Sequence, residues 1–157
     1  RRMKFSARDD IEAPIDDVFA ALSDFEAFER QAMRRGAEVQ RVDDSLQPTV
    51  GAAWRVAFTL RGRRRDMNLQ LVRYEAPSEM VFTATSQGMD ATFSIELMAL
   101  SRARTRMAVA LELKPLNLAS RLLVQSLKLA KSNLNQRFKQ RVADYAKTLE
   151  ERLKRSA

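Results

Sequence analysis

The sequence has no cysteine and no histidine, and only four glycines and four prolines among 157 residues. Without Cys there is no disulfide framework and no thiolate nucleophile. Without His there is no imidazole base, and a zinc site of the usual Cys/His kind is excluded. Long apolar runs are missing as well. The longest uncharged stretches, Ser45–Trp54 and Met80–Met89, are ten residues each, whereas a membrane-spanning helix needs about 20. Arg1 and Arg2 lead into an alternating segment rather than an apolar run, so no signal peptide is expected and the cytoplasm is the expected location. No glycine-rich phosphate loop, nucleophile elbow, or carboxylate pair at helical spacing on an apolar face is present. Neither a metal site nor a cofactor is therefore expected.

What is present reads as one globular domain over residues 1–157. The apolar content of 45% and charged content of 31% are ordinary for a packed chain of this length. The net charge of +8 is distributed unevenly. Residues 116–157 hold 10 of the 28 basic side chains and 3 of the 20 acidic ones, a net of +7, which leaves +1 for residues 1–115. A nearly neutral body with a basic C-terminal segment points to a polyanionic surface.

Met3, Phe5, Ala7 and Ile11 fall on one side of an alternating segment, the period of a half-buried strand. Pro14 then suits a helix start, with Asp16 and Asp17 at the positive end of the dipole. Ile15, Val18, Phe19 and Leu22 form its apolar stripe. Ser23-Asp24 breaks it, and a second short helix carrying Phe25, Phe28 and Ala32 runs to Gly36. From Ala37 to Lys114 the period is two, with strands expected at 38–43, 52–61, 64–74, 80–87, 90–100 and 105–114 joined by short turns. Beyond Pro115, Leu123, Leu127, Ala130, Leu134, Phe138, Val142, Tyr145, Leu149 and Leu153 recur every three or four residues, the pattern of one long amphipathic helix. Such a helix would span about 55–60 Å, so either its end projects or the stretch near Asn117–Leu123 bends away.

This order, and the run Ile11-Glu12-Ala13-Pro14-Ile15-Asp16-Asp17-Val18-Phe19-Ala20-Ala21-Leu22-Ser23-Asp24, resemble the START-like helix-grip superfamily, in particular its polyketide cyclase/dehydrase and lipid-transport group, the SRPBCC proteins. The resemblance implies an α+β helix-grip fold. In that fold a seven-stranded curved antiparallel sheet closes around a long C-terminal helix and an apolar pocket, with two short helices between strands 1 and 2. It implies no particular reaction.

The pocket would be lined by Trp54, Val56, Phe58, Met67, Leu69, Phe93, Ile95, Met107, Val109, Leu127, Leu134 and Phe138; the same residues also suit a closed core. An apolar small molecule (a lipid, isoprenoid or polyketide-like compound) is the expected ligand. A cyclase/dehydrase-like enzyme is the alternative, and it needs an Asp, Glu, Tyr or Arg inside. Strand parity turns Glu96 and Glu112 away from the pocket. The cluster Arg61-Gly62-Arg63-Arg64-Arg65 reads as a hairpin tip with its first strand residues, solvated or phosphate-binding. Along the start of the long helix, Leu122, Val124 and Leu129 lie off the core stripe beside Arg121, Lys128 and Lys131. An apolar face edged by cations suits an anionic membrane surface, a lid or a protein contact. Nucleic acid is disfavoured because the aromatics fall at core positions, although an RNA or protein adaptor role for the basic helix is a further alternative. The oligomeric state is left open.

Overall fold

The computed structural model describes residues 2–44 and 48–156. Its first strand, β1 (Met3–Ile11), is followed by helices α1 (Ile15–Leu22) and α2 (Phe25–Arg34). Strands β2 (Glu38–Arg41), β3 (Ala53–Leu60), β4 (Arg63–Glu75), β5 (Glu79–Ser86), β6 (Met89–Ser101) and β7 (Arg104–Pro115) follow. The chain ends in α3 (Leu118–Leu129) and α4 (Lys131–Ser156). The seven strands form one antiparallel sheet in the order β1-β7-β6-β5-β4-β3-β2, so the first strand pairs with the last and the others follow as hairpins. The α+β grip expected from the sequence is the fold observed.

Local chemistry explains the joints. The β3–β4 and β5–β6 hairpins turn on Arg61-Gly62 and Gln87-Gly88, each pair with positive φ at both residues. These are two-residue turns whose twist matches that of the flanking strands. Pro14 is the extended N-cap of α1, and Asp24 caps α2 by accepting a hydrogen bond from the Ala27 amide. Ser23, buried between the two helices, donates through Oγ to the Phe19 carbonyl at 2.8 Å.

The helices bury their stripes against one face of the sheet. Ile11, Val18, Leu71, Met80, Met107 and Leu149 are fully buried in the main core, which draws on β1, α1, β4, β5, β7 and α4. Thr105 ties that core to the loop before α1 by donating to the Ala13 carbonyl at 2.8 Å. A second, smaller cluster is built on Met3, Phe5 and Val124.

The C-terminal segment departs from the expected single helix. It breaks at Ala130, whose φ of −107° is not helical, and α3 and α4 are separate. The bend falls at the end of the leucine-rich stretch rather than near Asn117–Leu123. An unbroken helix would overshoot the sheet; breaking it lets α4 lie in the grip while α3 turns across the end of the sheet. Among the described residues no helix is long and apolar enough to cross a membrane.

Candidate functional site

The register of the sheet identifies its inward face row by row. Met3, Leu113, Ala91, Ala84, Leu69 and Trp54 form one cross-strand row; Phe5, Leu111, Phe93, Phe82 and Leu71 form the next; Ala7, Val109, Ile95, Met80 and Tyr74 form a third. Strand parity extends this face along β3 and β4 to Val56 opposite Met67 and Phe58 opposite Arg65.

The expected pocket residues separate into two groups. Ile95, Met107 and Val109 are buried in the main core with α1, and there they pack as closed interior. Val56, Leu69 and Phe93 face the helices from the other half of the sheet yet are only half-buried. Leu127 and Leu134, half-buried on α3 and α4, pack instead with Met3, Phe5 and Val124, and Phe138 joins both clusters. Phe58 and Met67 are half-buried too and belong to neither packed cluster. These inward-facing apolar side chains keep partial exposure where Ile95, Met107 and Val109 do not. Trp54 closes one margin: its ring is edge-on to Phe25 at 5.4 Å, its Nε1 donates to Glu29 at 2.8 Å, and the Arg41 guanidinium lies 5.0 Å over it.

At the hairpin end, α3 crosses the end of the sheet, where Val124 and Leu127 pack with Met3, Phe5, Leu111 and Leu113. The Leu116 amide donates to the Gly88 carbonyl at 2.7 Å, Ser120 Oγ to the Gln87 carbonyl at 3.3 Å, and Arg61 Nη1 to Ser126 Oγ at 2.7 Å. The helix therefore runs from the β5–β6 turn to the β3–β4 turn. Nine residues of helix rise about 14 Å, enough to pass the roughly 10 Å of two strand spacings. Its inner side presents Ser120 and Val124. Val124, expected on the outer surface, is 1% exposed. Extending the stripe of α4 back through Ala130 assigned it wrongly, because the break reorients α3. Leu118, Leu122 and Leu129 are 68%, 58% and 92% exposed, and Arg121, Lys128 and Lys131 are exposed around them.

Few polar groups look inward. Tyr74 Oη is engaged with Ser23 Oγ at 2.8 Å. Tyr145, on α4 with its ring 5.7 Å from that of Phe28, has a buried hydroxyl without a hydrogen-bond partner, and burial pushes its pKa up to about 12. Arg65 follows the phase of Met67, Leu69 and Leu71 into the interior, and its Nε is buried and unpartnered. Reading the Arg61–Arg65 cluster by its charge alone missed this; the two-residue spacing from Arg65 to Met67 carried the signal. Glu96 and Glu112 point away from the interior, Glu112 pairing with Arg2 at 3.4 Å.

The sequence profile of the family described as polyketide cyclase/dehydrase and lipid transport matches residues 2–150. The chain belongs to this family. Solved structures with the same fold include the Zhui aromatase/cyclase from a Streptomyces species, at 13% identity and TM-score 0.68 over 100% of this chain and 97% of that one. A Thermus thermophilus protein matches at 14% identity and TM-score 0.68, covering 99% of each chain. Norcoclaurine synthase from Thalictrum flavum matches at 10% identity and TM-score 0.68, over 98% of this chain and 87% of that one. Likeness at these identities carries the helix-grip architecture and not an activity. No curated relative matches the sequence.

Two surface grooves of this polyketide cyclase/dehydrase family member differ in character from the inward face. One of about 740 Å³ follows the β1 edge past α4, lined by Lys4, Arg8, Glu96, Lys139 and Gln140 among others. One of about 260 Å³ lies beside Arg55, Asn68 and Thr85. The larger is walled mostly by polar side chains, which do not suit an apolar guest; the smaller mixes Val42, Trp54 and Leu69 with Arg55, Asn68 and Thr85.

Proposed function

We propose that this protein binds an apolar small molecule, of lipid, isoprenoid or polyketide-like shape, in the space between the sheet, α3 and α4, and exchanges it at an anionic membrane surface. The observation that carries the binding reading is the half-buried apolar lining of Val56, Phe58, Met67, Leu69 and Phe93 on a face that turns toward the helices. Met and Phe side chains there adapt to guests of irregular outline. Membership of a family described by lipid transport and polyketide cyclisation supports the same reading.

Binding is favoured over turnover by the inward polar groups. A cyclase needs a proton acceptor at the guest; the inward Arg65 guanidinium cannot accept one, and Tyr145, with its pKa pushed up to about 12, stays a neutral phenol. Tyr74 is already paired with Ser23.

The membrane step rests on α3. Exposed leucines flanked by cations form a face that inserts shallowly among anionic headgroups, and the helix that carries them also crosses the end of the sheet. A guest could pass there without crossing water.

The test is direct. Protein purified from its natural host is extracted under native conditions and its organic phase examined by mass spectrometry. The emptied protein is then titrated with the neutral apolar dye N-phenyl-1-naphthylamine while the emission of Trp54, the one tryptophan, is followed. A bound apolar molecule and a saturable response near one equivalent are expected. An empty extract together with no dye binding rejects the reading.

A further inference from the structure

The binding site reading above leaves the polar end of the ligand unspecified, and Arg65 specifies it. We infer that the guest carries a single anionic group, a carboxylate or a phosphate, held by the Arg65 guanidinium on the inward face of β4, while its apolar body lies along Met67, Val56 and Leu69.

Arg65 lies on the inward face: it pairs with Phe58 and shares the phase of Met67, Leu69 and Leu71. Its side chain is half-buried, its Nε is sealed from water, and among the described residues the side chain makes neither a hydrogen bond nor an ion pair. A guanidinium is charged at every physiological pH. Placing one against apolar walls with a sealed, unsatisfied donor costs free energy unless an acceptor meets it.

Among the described residues no acid meets it: on the inward side Glu29 is engaged by Trp54 Nε1 at 2.8 Å and by Arg41 at 3.7 Å. The acids nearest in sequence and register, Asp66 and Glu38, lie on the opposite side of the sheet, where Glu38 takes a bidentate contact from Arg64 at 2.9 and 3.3 Å. Two further cations stand on the same hairpin, Arg63 in phase with Arg65 and Arg61 at the turn, where it donates to Ser126. The rest of the Arg65 side chain remains accessible, so an anion entering the space can reach the fork. Guanidinium geometry suits the two oxygens of a carboxylate or phosphate.

This inference rests on the pocket reading, and one experiment separates their failures. Palmitate, hexadecyl phosphate and hexadecanol compete, each below its aggregation limit, with N-phenyl-1-naphthylamine on the full chain. The wild type and the R65M, R65K and R64M variants are compared, and thermal melts report folding. At least one of the two acids should bind the wild type about 10- to 100-fold more tightly than the alcohol, the range of a charged hydrogen bond lost or made. R65M should remove that preference and leave the affinity for hexadecanol in place. R65K, which keeps charge and bulk but not the fork, should lose part of it. R64M removes the same charge from the opposite face and should bind as wild type. Carboxylate and phosphate are distinguished by which acid binds better. Equal binding of all three amphiphiles by the wild type, or a preference that survives R65M, overturns the inference and leaves the pocket intact. If the dye and all three amphiphiles fail to bind, the pocket reading falls and this inference with it.

Discussion

At the scale of single residues, Tyr145 is set for a pH-dependent cost. Its hydroxyl is buried without a partner and its pKa is raised to about 12 by burial, against about 10 in an unfolded chain. Between those values the folded state keeps the phenolic proton and the unfolded state releases it. Stability from this group is therefore fully present below pH 10 and falls as pH rises toward 12, by about 1.4 kcal/mol per pH unit. Tyr145→Phe should flatten that part of the profile and leave stability at pH 7 unchanged or about 1 kcal/mol higher, since it removes an unsatisfied polar atom. Thermal melts of both proteins at pH 7, 9.5 and 11 test this; parallel curves count against it. Thr105 is the converse case. Its hydroxyl satisfies the Ala13 carbonyl in a fully buried position, so Thr105→Val should cost about 1–3 kcal/mol in urea unfolding.

At the scale of elements, the decisive joint is between α3 and the β5–β6 turn. Gly88 has φ of +82°, and a Cβ there would stand 2.0 Å from Asn117 Nδ2. Asn117 is the N-cap of α3, accepting from the Ser120 amide at 2.9 Å. Gly88→Ala must therefore strain the turn and displace the cap together, costing about 1–3 kcal/mol. Hydrogen exchange should quicken in α3 and its flanking turn while β4 and β7 hold their protection. Uniform loss across the sheet would show that α3 does not dock as described. The sheet itself was legible from sequence because a one-sided sheet writes its burial into a period of two: Trp54, Val56 and Phe58 alternate with Arg55, Ala57 and Thr59. The helix break was not legible. Leu123, Leu127, Ala130 and Leu134 continue one another at helical spacing, and neither Gly nor Pro marks Ala130. That continuity is what misplaced Val124. Arg65 was obscured for a different reason: charge drew the eye to solvent although strand phase pointed inward.

At the scale of the whole molecule, the charge asymmetry and the exposed leucines belong to one segment. The net of +7 lies within residues 116–157, but only part of it can act on a membrane. Along α4 the cations Lys139, Arg141 and Lys147 are exposed and alternate with the buried Val142 and Ala146, as the solvated back of a core helix requires. On α3 and just beyond it, Arg121, Lys128 and Lys131 stand beside Leu118, Leu122 and Leu129, which have no partner among the described residues to cover them. Surface charge and shallow insertion must then cooperate. Liposome flotation should show binding to vesicles containing anionic lipid and little to neutral ones, weakening as salt shortens the screening length below about 10 Å. Replacing Lys128 and Lys131 with Gln removes about 1 kcal/mol each, so their joint loss should weaken binding roughly 30-fold. Leu122→Ser with Leu129→Ser should weaken it comparably without lowering the melting temperature, because both side chains are exposed in the folded protein. A matched neutralisation of Lys139 and Arg141 to Gln changes the net charge by the same amount from the other helix. If that variant lost vesicle binding equally, attraction would depend on total charge alone and the amphipathic face of α3 would have no part in it.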